Sequence, residues 1–185
     1  MKDKERVILV NHKGIALRGP DGSLRTQEKF LAHKCGNRHL AVSVFIFNSQ
    51  GELLLQQRAM GKYHSSGQWT NTCCTHPRPG EQPQKTAERR LDEEMGITCS
   101  LEPAFTFGYR ADVGNGLIED EFDHVFMGKS DVPPIPNPRE ACGWKWMSLT
   151  RLAKEIRTVP HAYSPWLRIC LNTVVNHRTQ CLSQT

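Results

Sequence analysis

A chain of 185 residues is long enough for one globular domain that buries most of the surface exposed by the unfolded chain. Hydrophobic residues make up 38% of it, and the longest uncharged apolar run, residues 40–47, is far too short to span a bilayer. The net charge of +5 is spread along the chain without a block of Lys and Arg, so it fits an anionic substrate and does not indicate a nucleic acid. We therefore expect no membrane or nucleic-acid partner.

The N-terminal residues and the cysteines both indicate a cytoplasmic protein. Residues 1–6 mix both charge signs and contain no cleavable apolar stretch, so no export signal is visible. The seven cysteines are an odd number, which favours free thiols over a disulfide framework. Cys73 and Cys74 are adjacent, and the alternation of side chains along a strand predicts that they point to opposite faces.

Two hairpins are predicted in the first third of the chain. Residues 6–10 and 15–18 flank a short turn-forming segment. Residues 40–47 and 52–57 form a stronger pair, joined by Asn-Ser-Gln-Gly. The first strand of this second pair is apolar at nearly every position, so we expect it to be covered on both faces.

The rest of the chain alternates between loops, strands and helices. Residues 62–81 are rich in Gly, Ser, Thr and Pro, and a loop of this length within a domain is usually functional. The later elements, in chain order, are a helix at 86–95 that Gly96 ends, strands at 104–111 and 117–127, a proline-rich loop at 131–138, a strand at 143–149 and helices within 150–180. This order predicts a single α/β domain over residues 1–185, with residues 1–35 as an N-terminal extension and candidate lid.

The segment from Thr75 to Ile97 resembles the Nudix box, a pattern that ends in Arg-Glu, an apolar residue, any residue, Glu-Glu, any residue, Gly and an apolar residue. The positions that match are Glu81, Arg89, Leu91, Glu93, Glu94, Gly96 and Ile97. Glutamates on a helix behind a loop can hold hard cations that bridge a diphosphate. The resemblance implies a Nudix-like fold, in which a mixed β-sheet is sandwiched between helices.

Two departures from the Nudix pattern bear on the chemistry. Thr75 replaces the first Gly, and Arg90 replaces a glutamate that hydrolysing members use to bind metal. A cation in place of that carboxylate favours binding of a diphosphate oxygen over metal-activated hydrolysis. The alternative is an ordinary solvated helix, in which Arg89–Glu93 and Arg90–Glu94 form pairs at i,i+4.

Further motifs resemble those of the type I isopentenyl-diphosphate isomerases. Residues 71–77, Asn-Thr-Cys-Cys-Thr-His-Pro, are similar to that family's Asn-Ser-x-Cys-x-His-Pro signature, and Gly-Gln-Trp-Thr precedes them. Tyr-Arg-Ala at 109–111 and Glu-Asp-Glu at 119–121 resemble its second signature. The resemblance runs from about residue 6 to residue 176.

This resemblance implies conversion of isopentenyl diphosphate to dimethylallyl diphosphate, through protonation of an alkene and loss of a proton elsewhere. Two acid–base groups in a pocket that excludes water suffice for such a reaction. Cys74 and Glu121 match the family's acid–base pair, and Tyr109 would relay or tune the proton of Glu121; the sequence leaves the order of the two groups open. The partner is a small allylic or homoallylic diphosphate, and we expect a monomer or a weak dimer.

A metal site is implied by five positions. His33, His39 and His76 offer imidazoles, and Glu119 and Glu121 lie on one face of a predicted strand. Three nitrogens and two carboxylates suit one divalent ion, Mn²⁺, Zn²⁺ or Mg²⁺. The two glutamates could instead form the solvent-facing side of an antiparallel strand. The remaining histidines are expected at the surface: His12, His64, His124, His161 and His177.

The resemblance also implies contacts to the substrate. Glu94, with Cys74, would hold a second ion, Mg²⁺, that arrives with the diphosphate. Trp166 matches the aromatic residue over the cationic intermediate, where a ring face contributes about 2 kcal/mol; core packing is its alternative role. The cations that match the family's diphosphate contacts are Lys29, Arg58, Lys62 and Arg90.

Two other functions fit part of these features. A Nudix pyrophosphohydrolase of a nucleoside or isoprenoid diphosphate would use the same box, but Arg90 and the Cys74-x-His76 motif have no place in that chemistry. A non-enzymatic metal-binding or redox module would use the cysteines, but it leaves Tyr109 and the two strand glutamates unexplained.

Overall fold

A mixed sheet of seven strands lies at the centre of the structure, a computed structural model that describes residues 5–182, with side chains through residue 180. Its strands are β3 (His39–Phe47), β4 (Leu53–Arg58), β5 (Trp69–Thr70), β6 (Cys73–Thr75), β7 (Leu101–Gly114), β8 (Leu117–Lys129) and β9 (Ala141–Met147). A separate small sheet pairs β1 (Arg6–Ile8) with β2 (Thr26–Glu28). The helices are α1 (Lys29–Cys35), α2 (Pro83–Met95), α3 (Leu149–Thr158) and α4 (Pro165–Leu182).

Strand β3 is buried on both faces, as its apolar sequence predicts. Val44 and Ile46 pack in one core cluster with residues of α2, including Leu91. Phe45 and Phe47 point the other way, into a cluster that contains residues of α3 and α4. The sheet is therefore covered by α2 on one side and by α3 and α4 on the other, which is the predicted α/β sandwich.

The predicted hairpin of β3 and β4 forms only at its turn. The two strands pair at Phe47 and Leu53 and then diverge. The Thr72 hydroxyl fills the gap, because it accepts a hydrogen bond from Ile46 N at 2.9 Å and donates one to Leu54 O at 2.8 Å. The segment that follows Thr72 is thus held between the strands, and β6 continues from it along β3.

Strand β3 runs parallel to β8 and brings distant residues together. His39 is opposite Glu121 in this register. On its other side, β8 pairs antiparallel with β7, and Tyr109 is opposite Glu121. Three predicted site residues therefore meet on neighbouring strands.

Several predicted boundaries differ from the observed ones. Helix α2 begins at Pro83, three positions before the predicted start, and Gly96 ends it in a left-handed conformation at φ 64°. The turn after Val10 forms and Val10 bridges to Ala16, but β1 pairs mainly with β2. The predicted loop at 62–81 contains β5 and β6, which are too short, at two and three residues, to show a strand pattern.

Two observations on the described part of the chain concern its helices and its cysteines. No helix there is long and apolar enough to cross a membrane. Six of the seven cysteines are described, and all six are free thiols. The expectation about residues 1–6 falls partly outside the described residues, since these begin at residue 5.

Candidate active site

A small cavity of about 60 Å³ joins most of the predicted site residues. Residues on its wall come from strands β3, β4, β6, β7 and β8, from the segment after β4, from α1 and from the start of α4. The predicted residues that line it are Lys29, Arg58, Lys62, Cys74, His76, Tyr109, Glu119, Glu121 and Trp166. Glu119 and Glu121 are both buried, so they do not form a solvent-facing side of β8.

Four of the five predicted metal ligands form one cluster. His33, His39, His76 and Glu121 each offer one donor atom, and these atoms all lie within 4.8 Å of one another. Glu119 falls in a second cluster with His33 and His64, which has the same 4.8 Å span. The two clusters share His33.

The histidine tautomers leave nitrogen lone pairs facing this cluster. His33 Nδ1 donates to Lys29 O at 2.7 Å, and His39 Nδ1 donates to Asn37 O at 2.8 Å, because a carbonyl can only accept. The Nε2 atoms of both rings are then bare. His33 Nε2 is buried without a hydrogen-bond partner among the described residues, and His39 Nε2 lies 3.3 Å from Glu121 Oε1. A divalent cation fits this arrangement of lone pairs and a carboxylate.

The protonation of the cluster is set by burial. Burial lowers the pKa of His76 to about 3 and that of His64 to about 2, which leaves both rings neutral, as metal ligands must be. Burial acts to raise the pKa of Glu121, but the His76 ring, whose Nε2 lies 2.9 Å from Glu121 Oε1, and the nearby imidazole of His39 outweigh it and hold that pKa well below its usual range.

Tyr109 links the two strand glutamates. Its hydroxyl oxygen lies 2.5 Å from Glu121 Oε2 and 3.0 Å from Glu119 Oε2, so the O–H donates to the carboxylate pair. Burial and repulsion by Glu121 raise the pKa of Glu119. Two buried carboxylates this close need either a shared proton or a cation, which is the second sign of a metal at this position.

Cys74 faces the cavity and Cys73 faces the core, as strand alternation predicts. Cys74 Sγ donates to Asn71 Oδ1 at 3.0 Å and lies 3.4 Å from Ser43 Oγ. Burial raises the pKa of this thiol, and the carboxylate of Asp123 adds to the effect. The nearest polar atoms are an amide oxygen and a hydroxyl, which carry no positive charge that would lower this pKa.

Asn71 holds Cys74 and Trp166 with the same atom. Its Nδ2 donates to Val44 O and Cys73 O, at 3.1 and 3.0 Å, which fixes the orientation of the amide. Its Oδ1 then accepts from Cys74 Sγ and from Trp166 Nε1 at 3.2 Å. Trp166 is buried and also lines the cavity, so its ring packs in the protein interior and forms part of the cavity wall.

Two lysines at the cavity are paired with carboxylates. Lys29 Nζ lies 3.2 Å from Glu5 Oε2, and Lys62 forms a close ion pair with Glu140. Arg58 lies over the Trp166 ring, with 5.1 Å between Cζ and the ring centroid.

Arg90 and Glu94 lie apart from this cavity. Arg90 lines a neighbouring one, which Thr75 and His76 also border. Both oxygens of the buried Glu94 carboxylate are engaged, one by Arg90 Nη2 at 2.6 Å and the other by Gln56 Nε2 at 3.0 Å. The structure therefore does not bring Glu94 together with Cys74, and the predicted shared Mg²⁺ position stays a prediction.

One residue of the site was missed. His64 was expected at the surface, and this is wrong: it is 5% exposed and lines the cavity. Its Nε2 lies 3.5 Å from Glu119 Oε1, and its ring stacks on that of His33. The sequence feature that could have indicated a role in the site is its place in the predicted functional loop, two residues after Lys62.

Comparisons with known proteins identify the family of this chain. Residues 37–167 match the family profile described as NUDIX domain. Isopentenyl-diphosphate Delta-isomerase 1 of Aromatoleum aromaticum is 49% identical over 177 residues, which cover 96% of each chain. This chain belongs to the isopentenyl-diphosphate Delta-isomerase family. The isomerase of Pectobacterium atrosepticum is 45% identical and covers 81% of this chain and 82% of its own.

The fold of this isomerase-family chain is shared more widely. A crystal structure of a Deinococcus radiodurans protein matches it with a TM-score of 0.69 at 21% identity, over 91% of this chain and 98% of that one. The predicted family and the predicted Nudix-like α/β fold are both confirmed.

Proposed function

We propose that the protein converts isopentenyl diphosphate to dimethylallyl diphosphate in a metal-dependent reaction. The observation that carries this proposal is one cavity in which a thiol and a carboxylate, Cys74 and Glu121, share the wall with Trp166. The curated relatives bear the name of this isomerase and span nearly the whole chain.

The reaction moves a double bond with two proton transfers. A proton added to the terminal methylene carbon gives a tertiary cation, and loss of a proton from the carbon on the other side of that centre completes the product. Cys74 and Glu121 are the two acid–base groups, and they exchange roles between the forward and reverse reactions. Tyr109 donates to the Glu121 carboxylate and so tunes its basicity. The Trp166 ring face stabilises the cation, and the buried walls exclude water from it.

Five residues would hold one divalent ion, Mn²⁺, Zn²⁺ or Mg²⁺: His33, His39, His76, Glu119 and Glu121. When bound, the ion supplies positive charge that lowers the pKa of Glu121 and keeps the two carboxylates together. A second ion, Mg²⁺, would bind with the diphosphate at Glu94.

Substrate entry requires the cavity to open. Its volume of about 60 Å³ is room for only a few water molecules. The diphosphate would take the place of Glu5 and Glu140 as the partner of Lys29 and Lys62, with Arg58 and Arg90 as further donors. Residues 5–35, which carry Glu5 and Lys29, would move as a lid.

The test is incubation of purified protein with isopentenyl diphosphate, Mg²⁺ and Mn²⁺ in D₂O. We expect dimethylallyl diphosphate and deuterium in the substrate pool. Release of phosphate or pyrophosphate instead would indicate the hydrolase, a function that the ion pair between Arg90 and Glu94 disfavours. The cytoplasmic location, the monomeric or weakly dimeric state and the lack of membrane and nucleic-acid partners stay predictions.

A further inference from the structure

His64 occupies a position in the site that packing alone does not explain. It is buried between the rings of Tyr63 and Trp166, which contact it edge-on, with ring centroids 4.6 and 6.0 Å away. An imidazole in such a place needs partners for both nitrogens. Its Nδ1 faces Ser65 Oγ at 3.4 Å, so its Nε2 is the atom turned into the site.

The atoms that meet His64 Nε2 are metal ligands by type. Glu119 Oε1 lies 3.5 Å away, beyond a normal hydrogen bond. The His33 ring is stacked on it at a centroid distance of 5.5 Å and an angle of 28°. His33 Nε2 is fully buried and has no hydrogen-bond partner among residues 5–180. One nitrogen from each ring and one carboxylate oxygen fall within 4.8 Å of one another.

Such spacing is close to what a bound ion needs. Opposite ligands of one ion are about 4.2 Å apart, twice a metal–nitrogen bond of about 2.1 Å. The donors of His33, His64 and Glu119 therefore need to move by only a fraction of an ångström. His33 belongs to both clusters, so one ion bound to its Nε2 would lie next to the donors of both clusters.

We propose that His64 is a fourth imidazole ligand of the metal ion, which gives this chain a centre of four histidines and two glutamates. Six donors form an octahedron, a geometry that suits Mn²⁺ and that structural Zn²⁺ sites rarely adopt. The sixth protein ligand also takes a position that water would otherwise occupy, so the ion binds more tightly. This inference rests on the metal centre of the proposed function but not on the isomerisation itself.

The test uses full-length protein loaded with Co²⁺ and does not involve substrate. Ring protons of each cobalt-bound histidine appear far outside the normal range of the proton NMR spectrum. We expect four such sets in the unaltered protein and three in His64→Ala. Three sets in the unaltered protein would overturn the proposal even if His64→Ala failed to fold, and an unchanged number in a folded His64→Ala would do the same.

Metal affinity supplies a second readout, from competition with a chromophoric chelator. His64→Ala should raise the Kd for Mn²⁺ at least about tenfold, while His12→Ala, which alters an exposed ring, should leave it unchanged. An equal Kd for the three proteins would contradict the role of His64 as a ligand. If the unaltered protein bound no divalent ion, the metal centre of the proposed function would itself be wrong, so the two failures are distinguishable.

Discussion

Arg90 Nη2 donates a hydrogen bond to Glu94 Oε1 at 2.6 Å, and the carboxylate that accepts it is almost completely buried. The two residues are neighbours on successive turns of α2. Without the cation, Glu94 would keep only uncharged hydrogen-bond partners among the described residues, such as the Gln56 amide. Arg90, which distinguishes this sequence from the hydrolase pattern, therefore also neutralises a buried carboxylate.

Arg90→Met should lower the free energy of unfolding by about 1–3 kcal/mol, because it leaves a buried carboxylate without its cation. Urea unfolding measures the change. Arg151→Met is the matched control, since Arg151 pairs with Glu155 at the same i,i+4 spacing but on an exposed surface, and its loss should cost no more than about 0.5 kcal/mol. Equal losses of unfolding free energy in the two variants would show that the burial of Glu94 does not strengthen its ion pair with Arg90.

Cys74→Ala should lower kcat by about a thousandfold or more, because it removes one of the two acid–base groups. Its thermal stability should stay close to that of the unaltered protein. Cys73→Ala is the control: it removes a thiol from the core on the opposite face, so it should cost about 1 kcal/mol of stability and leave turnover within a few fold. Near-normal turnover by Cys74→Ala would rule out the proposed acid–base pair.

Because of Glu81, the free energy of unfolding should decrease at acid pH. Two hydrogen bonds from Arg89, at 2.7 and 2.8 Å, lower the pKa of Glu81 to about 2 from an ordinary value of 4.5. Because the unfolded chain binds the proton more readily, the contribution is complete above pH 4.5 and is lost as the pH falls toward 2. We expect the free energy of unfolding to fall by about 1 kcal/mol, a value reduced for the screening of this partly exposed pair by solvent. Urea unfolding at pH 5, 4 and 3 should show it, and Glu81→Gln should have a flatter profile.

Mn²⁺ should stabilise the protein in the absence of substrate. An ion at a hundred times its Kd contributes about 2.7 kcal/mol, which raises the Tm of a chain of this size by about 5–10 °C. His76→Ala should lose most of this increase, and His12→Ala should retain it. If Mn²⁺ did not change the Tm of chelator-treated protein, the proposal that the clusters around His33 bind a metal ion would be wrong.

The fold followed from the sequence where local patterns and tertiary packing agree. The uniformly apolar run of β3 predicted burial on both faces, and Gly96 predicted the end of α2. The divergence of β3 and β4 was not predictable, because it depends on the Thr72 hydroxyl from a separate segment. A hairpin turn fixes only the residues next to it.

The site was predictable from motifs and less so from spacing. Cys74, Tyr109 and Glu121 were found through their signatures, and they line one cavity. His64 belongs to neither signature, and although it lies in the predicted functional loop, the polar sequence there does not indicate that its ring is buried. The high pKa of Cys74 was likewise invisible, since it arises from burial among atoms contributed by β3, β8 and the Asn71 segment.

The parallel register of β3 and β8 has a consequence for how the chain reaches its native state. His39 meets Glu121 only after two strands far apart in the sequence have paired, and parallel contacts between distant segments form slowly. A slip of one residue would turn Glu121 to the opposite face of the sheet. An ion held by both strands favours the correct alignment over its neighbours, so the supply of divalent metal during synthesis should influence the fraction of chains that mature.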